Sequence, residues 1–280
     1  MDKIPIHIAL CLDEKLVEYV GTLIYSISKH HTSHILLVHI VHQGLEEENL
    51  IYLAHLEKLF PNVSVRLYQL SDELFSEIIV ENYFLPKASY LRLLLPEVLL
   101  DVEKVLYLDI DTLICGDLLP LYEADLRGSC IGAVPQVAKV TSVNPYPESI
   151  GLSSDRYFNS GVLLLELAVM RERRLVDKML VTLIDKGSNL SFGDQDILNI
   201  VLQDEVCLFS TQYNYTYFCM RDEEDGDNIL DAVILHYNTF AKPWHYLVTL
   251  SDRILRYHYI YKHYQTEFQN LLLKNRPEMS

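Results

Sequence analysis

The chain of 280 residues is long enough for one large α/β domain or for two small ones. Half of its residues are hydrophobic and 22% are charged, which is typical of a globular protein and not of a disordered one. The formal net charge of −16 at pH 7 argues against a nucleic-acid partner, because phosphate neutralisation requires a basic face.

The N-terminal part of the chain predicts strands that alternate with helices. Apolar runs at residues 6–12, 35–41 and 63–68 predict β-strands, and apolar residues recur with helical spacing over residues 16–30 and 46–60. The second helix should end at Pro61. This alternation indicates parallel strands joined by right-handed crossovers, as in nucleotide-binding α/β domains.

Further elements are predicted along the rest of the chain. Residues 88–100 should form a helix interrupted at Pro96, residues 104–112 a central buried strand, and residues 169–186 and 194–203 two more helices. Further strands are predicted at residues 130–134, 161–167, 206–210 and 232–236. The segment 141–156 predicts a long loop, typical of a lid or an acceptor-binding loop, and residues 222–225 predict a solvated acidic turn.

The apolar stretches and the cysteines indicate the cellular compartment of the protein. No apolar stretch reaches the ~18 residues of a membrane span, and the first strand is too short for a signal-peptide core. The five cysteines show no zinc spacing, and Cys11, Cys130 and Cys207 lie in apolar runs typical of buried thiols in a reducing compartment. These features predict a soluble cytoplasmic protein.

Asp109 and Asp111 lie at the end of the predicted central strand. Residues two apart on a strand point to the same side, so both carboxylates should meet at the strand's carboxyl end, where open α/β sheets bind ligands. Two carboxylates this close repel each other, and a divalent cation that bridges them to a phosphate would remove the repulsion. The alternative is a strand end and a turn, with one aspartate as a cap, and the D-x-D pattern by itself favours that alternative.

His236 and Lys242 form a second candidate pair. A histidine at a strand end is usually a hydrogen-bonded structural residue. However, Lys242-Pro243-Trp244 follows closely, so the rigid Pro243 could hold Lys242 as a fixed cation with Trp244 packed as its base. A histidine ligand and a nearby lysine are what a metal-bound diphosphate requires.

Three further segments carry polar residues for which the sequence allows either a structural or a functional role. Asp194 and Asp196 are good helix-capping and first-turn residues, whereas Gln195 is harder to explain as a cap and could face a developing positive charge. Asn159 could simply belong to a tight turn. Arg92 could be a surface charge, although its apolar neighbours favour partial burial against an anion.

Taken together and in order, these motifs resemble those of the retaining glycosyltransferase family 8, which includes bacterial lipopolysaccharide galactosyl- and glucosyltransferases and, more distantly, glycogenin. The resemblance covers about residues 6–246. It is carried by Asp109-Ile110-Asp111, Tyr157-Phe158-Asn159-Ser160-Gly161, Asp194-Gln195-Asp196-Ile197-Leu198-Asn199, His236-Tyr237 and Lys242-Pro243-Trp244, and also by Ala88-Ser89-Tyr90-Leu91-Arg92 and the first strand up to Asp13.

The resemblance implies an α/β fold of the GT-A type, a Rossmann-like mixed sheet flanked by helices. It implies Mn²⁺, or Mg²⁺ in its place, and a UDP-hexose donor with a saccharide or glycolipid acceptor, such as lipopolysaccharide or another surface glycan. The implied metal ligands are Asp109, Asp111 and His236. The implied donor-binding residues are Asp13, Arg92, Asp109, Ile110, Asn159, Asp194 and Lys242, and the implied catalytic residues are Gln195 and Asp194.

The resemblance also implies a mechanism with retention at the sugar. If Gln195 holds the place opposite the leaving group, its amide is a poor nucleophile, which favours a front-side route over double displacement. Two departures from the family pattern stand out: Glu14 and Lys15 replace an Asn-Tyr pair after Asp13, and residues 238–241 contain no glycine. They keep open the alternative of a catalytically impaired nucleotide-sugar-binding protein.

Residues 251–280 predict a helical tail after a domain of residues 1–250. The tail interleaves basic with aromatic residues: Arg253, Arg256, Lys262, Lys274 and Arg276 with Tyr257, Tyr259, Tyr261, Tyr264 and Phe268. Such a helix suits peripheral contact with the anionic inner face of the cytoplasmic membrane. Equally, it suits a terminal helix that packs its aromatic side chains on the domain.

Overall fold

The structure is a computed structural model that describes residues 5–71, 87–136, 146–220, 229–239, 241–245 and 252–275. Within these ranges the strands are β1 (Ile6–Cys11), β2 (Leu36–His42), β3 (Val63–Gln69), β4 (Lys104–Leu108), β5 (Thr112–Ile114), β6 (Ile131–Pro135), β7 (Phe158–Glu166), β8 (Val206–Leu208), β9 (Tyr215–Thr216) and β10 (Ile234–His236). The α-helices are Val17–His30, Glu47–Leu59, Lys87–Tyr90, Leu95–Val98, Leu119–Tyr122, Tyr146–Ser149, Leu167–Glu172, Leu175–Lys186, Asp194–Leu202, Tyr217–Met220 and Asp252–Lys274. Short 3₁₀ helices cover Glu14–Leu16, Leu91–Leu94, Gly187–Asn189, Gln203–Glu205, Thr211–Tyr213 and Ile229–Asp231.

A seven-stranded mixed sheet forms the centre of the described structure, with the strand order β3-β2-β1-β4-β7-β6-β8. The first four of these strands are parallel, as the alternating sequence pattern predicts. Strand β7 runs antiparallel to β4, with Leu108 opposite Val162. The first residues of β7 therefore extend beyond the end of β4, and the Asp109 amide donates to the Gly161 carbonyl at 2.8 Å.

A smaller sheet continues from the end of β4. After Leu108 the chain turns, with the Thr112 amide donating to the Asp109 carbonyl at 3.1 Å, and enters β5 of a second sheet ordered β5-β10-β9. The prediction of one strand through residue 112 was therefore wrong at its end. Asp109 and Asp111 meet because both lie in this turn between the two sheets, and not because they alternate along a strand.

Both faces of the central strands are buried. Val105 and Tyr107 of β4 pack in one apolar cluster, and Leu106 and Leu108 pack in the other. The helices Val17–His30 and Glu47–Leu59 cover the second face, while the helices Leu175–Lys186 and Asp194–Leu202 cover the first. This double burial explains why these strands read as continuous apolar runs in the sequence.

The C-terminal helix packs on the rest of the protein. Four of its aromatic side chains are buried: Tyr257, Tyr261, Tyr264 and Phe268. At Gly21 an added Cβ would lie 2.3 Å from Phe268 Cζ, so the glycine permits the close approach of this helix. Lys29 forms an ion pair of 2.6 Å with Glu267. The packing alternative is thus confirmed for these four aromatic residues, and they are not exposed to a membrane.

Several sequence predictions differ from the structure in detail. Residues 87–98 are helical throughout, and Pro96 fits because it occupies the first turn of the helix Leu95–Val98. The helix predicted over residues 169–186 is divided by Arg174, which has a left-handed backbone with φ of 50°. The predicted loop 141–156 contains the short helix Tyr146–Ser149, and its first residues lie outside the described ranges, as does the acidic turn 222–225.

Two of the three cysteines that the sequence predicts as buried are buried in the structure. All five cysteines are free, and Cys11 and Cys130 are buried. Cys207 is only partly buried, because it lies on the short edge strand β8. None of the helices in the described ranges is both long and apolar enough to cross a bilayer.

Candidate active site

Asp109, Asp111 and His236 converge where the two sheets meet. The two aspartates lie in the turn between β4 and β5, and His236 ends β10, opposite Thr112. The His236 Nε2 atom lies 3.3 Å from Asp111 Oδ1 and 3.6 Å from Asp109 Oδ2. One ligand atom from each residue lies within 4.8 Å of the others, so one metal ion could contact all three.

Gly161 leaves the space that this cluster occupies. A Cβ on Gly161 would lie 2.1 Å from His236 Cε1 and 2.8 Å from Asp109 Oδ2, closer than real Cβ contacts. The backbone at Gly161 does not have positive φ, so the glycine is required for space and not for conformation. Two carboxylate oxygens and an imidazole nitrogen around a cradle without a side chain fit a divalent cation.

Two residues that sequence reasoning missed form hydrogen bonds with the proposed metal ligands. The Tyr107 hydroxyl donates to Asp109 Oδ1 at 2.6 Å, which leaves Asp109 Oδ2 facing His236. Asn214 Oδ1 lies 2.8 Å from His236 Nδ1. Tyr107 appears in the sequence as one more apolar strand residue and Asn214 as one more polar loop residue, so no sequence signal indicated either role.

Arg92 is buried and binds protein carboxylates. Its Nη2 lies 2.9 Å from Asp109 Oδ1, its Nε lies 3.1 Å from Asp194 Oδ2, and its Nη1 donates to the Ser160 carbonyl at 2.8 Å. The guanidinium carbon stands 4.7 Å from the centre of the Tyr107 ring. The sequence expectation of burial against an anion is confirmed, and the anions are two aspartates.

Asp194 is the first residue of its helix and not the cap. Gly193, with φ of 50°, is the cap residue, and the Asp194 side chain turns away to the Arg92 guanidinium. Burial raises the pKa of Asp194 to about 6, although the Arg92 charge opposes this shift. The capping alternative for Asp194 is therefore wrong, because its carboxylate is used in a buried ion pair.

Gln195 and Asn159 are joined by hydrogen bonds. Gln195 Oε1 accepts from Asn159 Nδ2 at 3.0 Å and from the Ser160 amide at 3.2 Å. Gln195 Nε2 donates to the Tyr157 hydroxyl at 3.0 Å. The motif around Asn159 is thus strand β7 and not a tight turn, and the Gln195 amide is held in one orientation.

Asp196 has the structural role that the sequence favoured. Its carboxylate accepts from the Tyr146 hydroxyl and the Tyr157 hydroxyl, both at 2.6 Å, and from the Phe192 amide at 2.8 Å. The two hydroxyls attach the helix Tyr146–Ser149 and the residue before β7 to the helix that carries Gln195, and the Phe192 amide belongs to the segment just before that helix. Asp196 therefore has a structural role, because it holds the helix that carries Gln195 against its neighbours.

Lys242 reaches the metal-ligand cluster. Its Nζ forms an ion pair with Asp111 and donates to the Tyr237 carbonyl at 3.0 Å. Burial raises the pKa of Asp111, but the charges of His236 and Lys242 outweigh it, so the pKa lies below its ordinary value. Trp244 stacks on Tyr19 with ring centres 4.0 Å apart, which anchors the segment that carries Lys242.

Asp13 and Ile110, two candidates for donor contacts, make other contacts in the structure. Asp13 Oδ1 accepts from the Lys15 amide at 3.0 Å and caps the 3₁₀ turn that follows β1. Ile110 packs its side chain in the core, where it is 4% exposed, so a ligand contact at this position would involve its main chain. Glu14, one of the departures from the family pattern, binds the Glu46 amide at 3.2 Å.

The comparison that decides the family covers almost the whole chain. The sequence profile described as glycosyl transferase family 8 matches residues 7–248. The chain belongs to glycosyl transferase family 8. Asp109, Asp111, Asn159, Gln195, His236 and Lys242 all lie within the matched range.

Two named glycosyltransferases are similar to this chain in sequence. It is 32% identical over 189 residues to glycosyltransferase GlyF of Streptococcus pneumoniae serotype 4, a match that covers 65% of this chain and 44% of GlyF. It is 31% identical over 171 residues to lipopolysaccharide 1,2-glucosyltransferase of Escherichia coli K12, covering 57% of this chain and 49% of that enzyme. This chain thus spans about half the length of these curated relatives.

Among solved structures, galactosyltransferase LgtC in complex with donor and acceptor sugar analogues matches 94% of this chain and 96% of its own, with a TM-score of 0.78 and 24% identity. The glycosyltransferase GlyE of Streptococcus pneumoniae matches 99% of this chain and 66% of its own, with a TM-score of 0.67 and 21% identity. These likenesses show the fold, and they confirm the GT-A type of mixed sheet predicted from the sequence.

Proposed function

We propose that this member of glycosyl transferase family 8 is a retaining glycosyltransferase that moves a hexose from a UDP-sugar to a hydroxyl group of a saccharide acceptor. The observation that supports this most is the cluster of Asp109, Asp111 and His236 with Lys242 beside it, at the carboxyl end of β4. Ligands of open α/β sheets bind at such an edge.

The metal in this proposal is Mn²⁺, with Mg²⁺ as the substitute. Asp109, Asp111 and His236 would hold it. A set of two carboxylates and one imidazole suits Mn²⁺ better than it suits Mg²⁺, because Mg²⁺ prefers ligands that are all oxygen atoms. When bound, the metal supplies Lewis acidity that neutralises charge on the leaving diphosphate.

Lys242 would supply a second positive charge to the diphosphate. In the structure its ammonium group is paired with Asp111, so it is held beside the proposed metal site and not free in solvent. A fixed cation at this point stabilises charge that develops on the leaving group.

Arg92, Asp194 and Asn159 would orient the donor sugar. The Arg92–Asp194 ion pair and the Asn159–Gln195 hydrogen bond place charged and polar groups in one buried network beside the metal ligands. The Asp194 carboxylate is bound by Arg92 and the Ser160 hydroxyl, which weakens it as a nucleophile. The Gln195 amide is a poor nucleophile, so we favour front-side transfer, in which a diphosphate oxygen takes the proton of the acceptor hydroxyl.

The acceptor in this proposal is lipopolysaccharide, lipooligosaccharide or another surface glycan, and the hexose is glucose or galactose. The support comes from the relatives, which include a lipopolysaccharide glucosyltransferase and the galactosyltransferase LgtC. We extend the proposal to a cytoplasmic location, because free buried thiols such as Cys11 and Cys130 are typical of a reducing compartment.

The test is release of UDP from UDP-glucose and from UDP-galactose in the presence of a panel of saccharide acceptors, each measured with Mn²⁺ and with EDTA. We expect Mn²⁺-dependent release from one of the two donors and loss of release in Asp111→Asn. The matched control is Asp117→Asn, because the Asp117 side chain is 61% exposed and pairs with His31 away from the site. Donor binding without release would contradict the transferase proposal and indicate a nucleotide-sugar-binding protein, and release unchanged in Asp111→Asn would contradict the metal assignment.

A further inference from the structure

We infer that Asn214 is a positioning residue that fixes the tautomer of His236, so that the Nε2 atom offers its lone pair to a metal. The inference deepens the proposed function and rests on it for the presence of the metal. Asn214 lies between the 3₁₀ helix Thr211–Tyr213 and strand β9, and it is only 2% exposed. In the parallel pairing of β9 with β10, Thr216 lies opposite His236. Asn214 comes two residues earlier, just before β9, and its side chain reaches the His236 ring.

The orientation of the Asn159 amide is determined by the main chain. The Gly161 N–H can only donate, and it donates to Asn159 at 3.0 Å, so the atom it contacts must be the oxygen Oδ1. The other end of the amide, Nδ2, faces Gln195 Oε1 at 3.0 Å. That oxygen in turn accepts from the Ser160 N–H at 3.2 Å. The backbone N–H groups of Gly161 and Ser160 therefore fix the orientations of the Asn159 and Gln195 side-chain amides.

The orientation of Asn214 follows from that of Asn159. Asn159 Oδ1 can only accept, and the atom of Asn214 that contacts it, at 2.8 Å, must be the donor Nδ2. The carbonyl oxygen of Asn214 then points the other way and meets His236 Nδ1 at 2.8 Å. Because Oδ1 of Asn214 can only accept, Nδ1 of His236 must carry a proton.

In neutral His236 this arrangement leaves Nε2 without a proton. Nε2 is the atom that faces Asp111 Oδ1 at 3.3 Å and Asp109 Oδ2 at 3.6 Å. A ligating histidine typically donates its other ring N–H to a carbonyl or carboxylate, which fixes the ring and raises the basicity of the ligand nitrogen. Asn214 occupies the position of that partner, and backbone donors on β7 set its direction.

Two variants separate this role from general packing. Asn214→Leu removes both the acceptor for His236 and the donor to Asn159, whereas Asn214→Asp keeps the acceptor for His236 and replaces the donor by a second acceptor. Both variants should lower the melting temperature measured in EDTA, because both leave Asn159 Oδ1 with one donor fewer. Only Asn214→Leu should weaken Mn²⁺ binding, by about 10- to 100-fold, as is typical when the partner of a metal-ligating histidine is lost.

The dissociation constant of Mn²⁺ is to be measured without nucleotide sugar, from the electron paramagnetic resonance signal of free Mn²⁺. We expect Asn214→Asp to bind Mn²⁺ nearly as tightly as the wild type or more tightly. Wild-type affinity in Asn214→Leu, or equal weakening in both variants, would overturn the inference. Absence of Mn²⁺ binding in the wild type would overturn the proposed metal site itself, whereas binding without UDP release would overturn only the transferase activity.

Discussion

Replacing Gly161 by alanine should impair metal binding more than folding. The added Cβ would lie 2.1 Å from His236 Cε1, 2.7 Å from His236 Nε2 and 2.8 Å from Asp109 Oδ2. His236 has little room to move, because its ring is buried and bound to Asn214. One metal ligand or both must therefore shift from the positions in which they converge.

The cost in folding is smaller than these distances suggest. Overpacking by a methyl group typically destabilises a protein by about 1–3 kcal/mol. An alanine within a strand regains about 0.5–1 kcal/mol relative to glycine, and Gly161 has no positive φ that would strain it. We therefore expect a net loss of about 0–2.5 kcal/mol in the free energy of unfolding, and Mn²⁺ binding at least about 10-fold weaker, as for other disturbed ligand shells.

The assay combines urea unfolding in EDTA with Mn²⁺ titration, and Gly132→Ala is the matched control. At Gly132 in β6 an added Cβ would lie 2.2 Å from Phe209 Cε2 and 2.9 Å from Leu126 Cδ2, neither of which belongs to the metal cluster. This variant should lose stability while it keeps its affinity for Mn²⁺. Wild-type Mn²⁺ affinity in Gly161→Ala, or equal weakening in Gly132→Ala, would refute the reasoning.

Three further outcomes are expected. Arg92→Met leaves the buried Asp194 and the partly buried Asp109 without their cation and should lower the free energy of urea unfolding by about 3–5 kcal/mol; a loss below about 1 kcal/mol would contradict the ion-pair network. Burial and the charges of neighbouring basic groups lower the pKa of His39 to about 4, so only the unfolded state takes up this proton between pH 6.5 and about 4. The free energy of unfolding should therefore decrease as the pH is lowered through this window, by up to about 1.4 kcal/mol per pH unit for this group. His39→Gln should reduce this pH dependence, and an unchanged dependence would contradict the assignment. Gly21→Ala should be destabilising although alanine favours helices, and Phe268→Ala should partly rescue it in a double-mutant cycle; simple additivity would contradict the contact.

The sequence pattern was sufficient for the parallel half of the sheet. The strands β1, β2 and β4 are buried on both faces, so their apolar runs are continuous, whereas the edge strand β3 is partly exposed and alternates. The helices between them have clear periodicity. The reversal of β7 has no such signal, because a strand reads the same in either direction. It is this reversal that brings the start of β7, with Asn159 and Gly161, to the end of β4.

The site was predictable where a motif bears its own chemistry. Two acids two positions apart, a histidine at a strand end and a lysine next to a proline each indicate a ligand or a charge. The structure brings these residues, Asp109, Asp111, His236 and Lys242, together. Asn214 contributes only a hydrogen bond through its side chain, and that contact depends on the pairing of β9 with β10. A spacing rule therefore could not have found it.

The origin of the metal ligands in two different sheets has a mechanical consequence. The aspartates belong to the turn that leaves the large sheet, while His236 belongs to the middle strand of the small one. A cation held by all three would act as a cross-link between the sheets, so any fluctuation that separates them would have to release a ligand. Stability gained from the metal should then be localised, and backbone amides of β9 and β10 should exchange with deuterium more slowly when Mn²⁺ is present. Metal binding would in this way stiffen the small sheet.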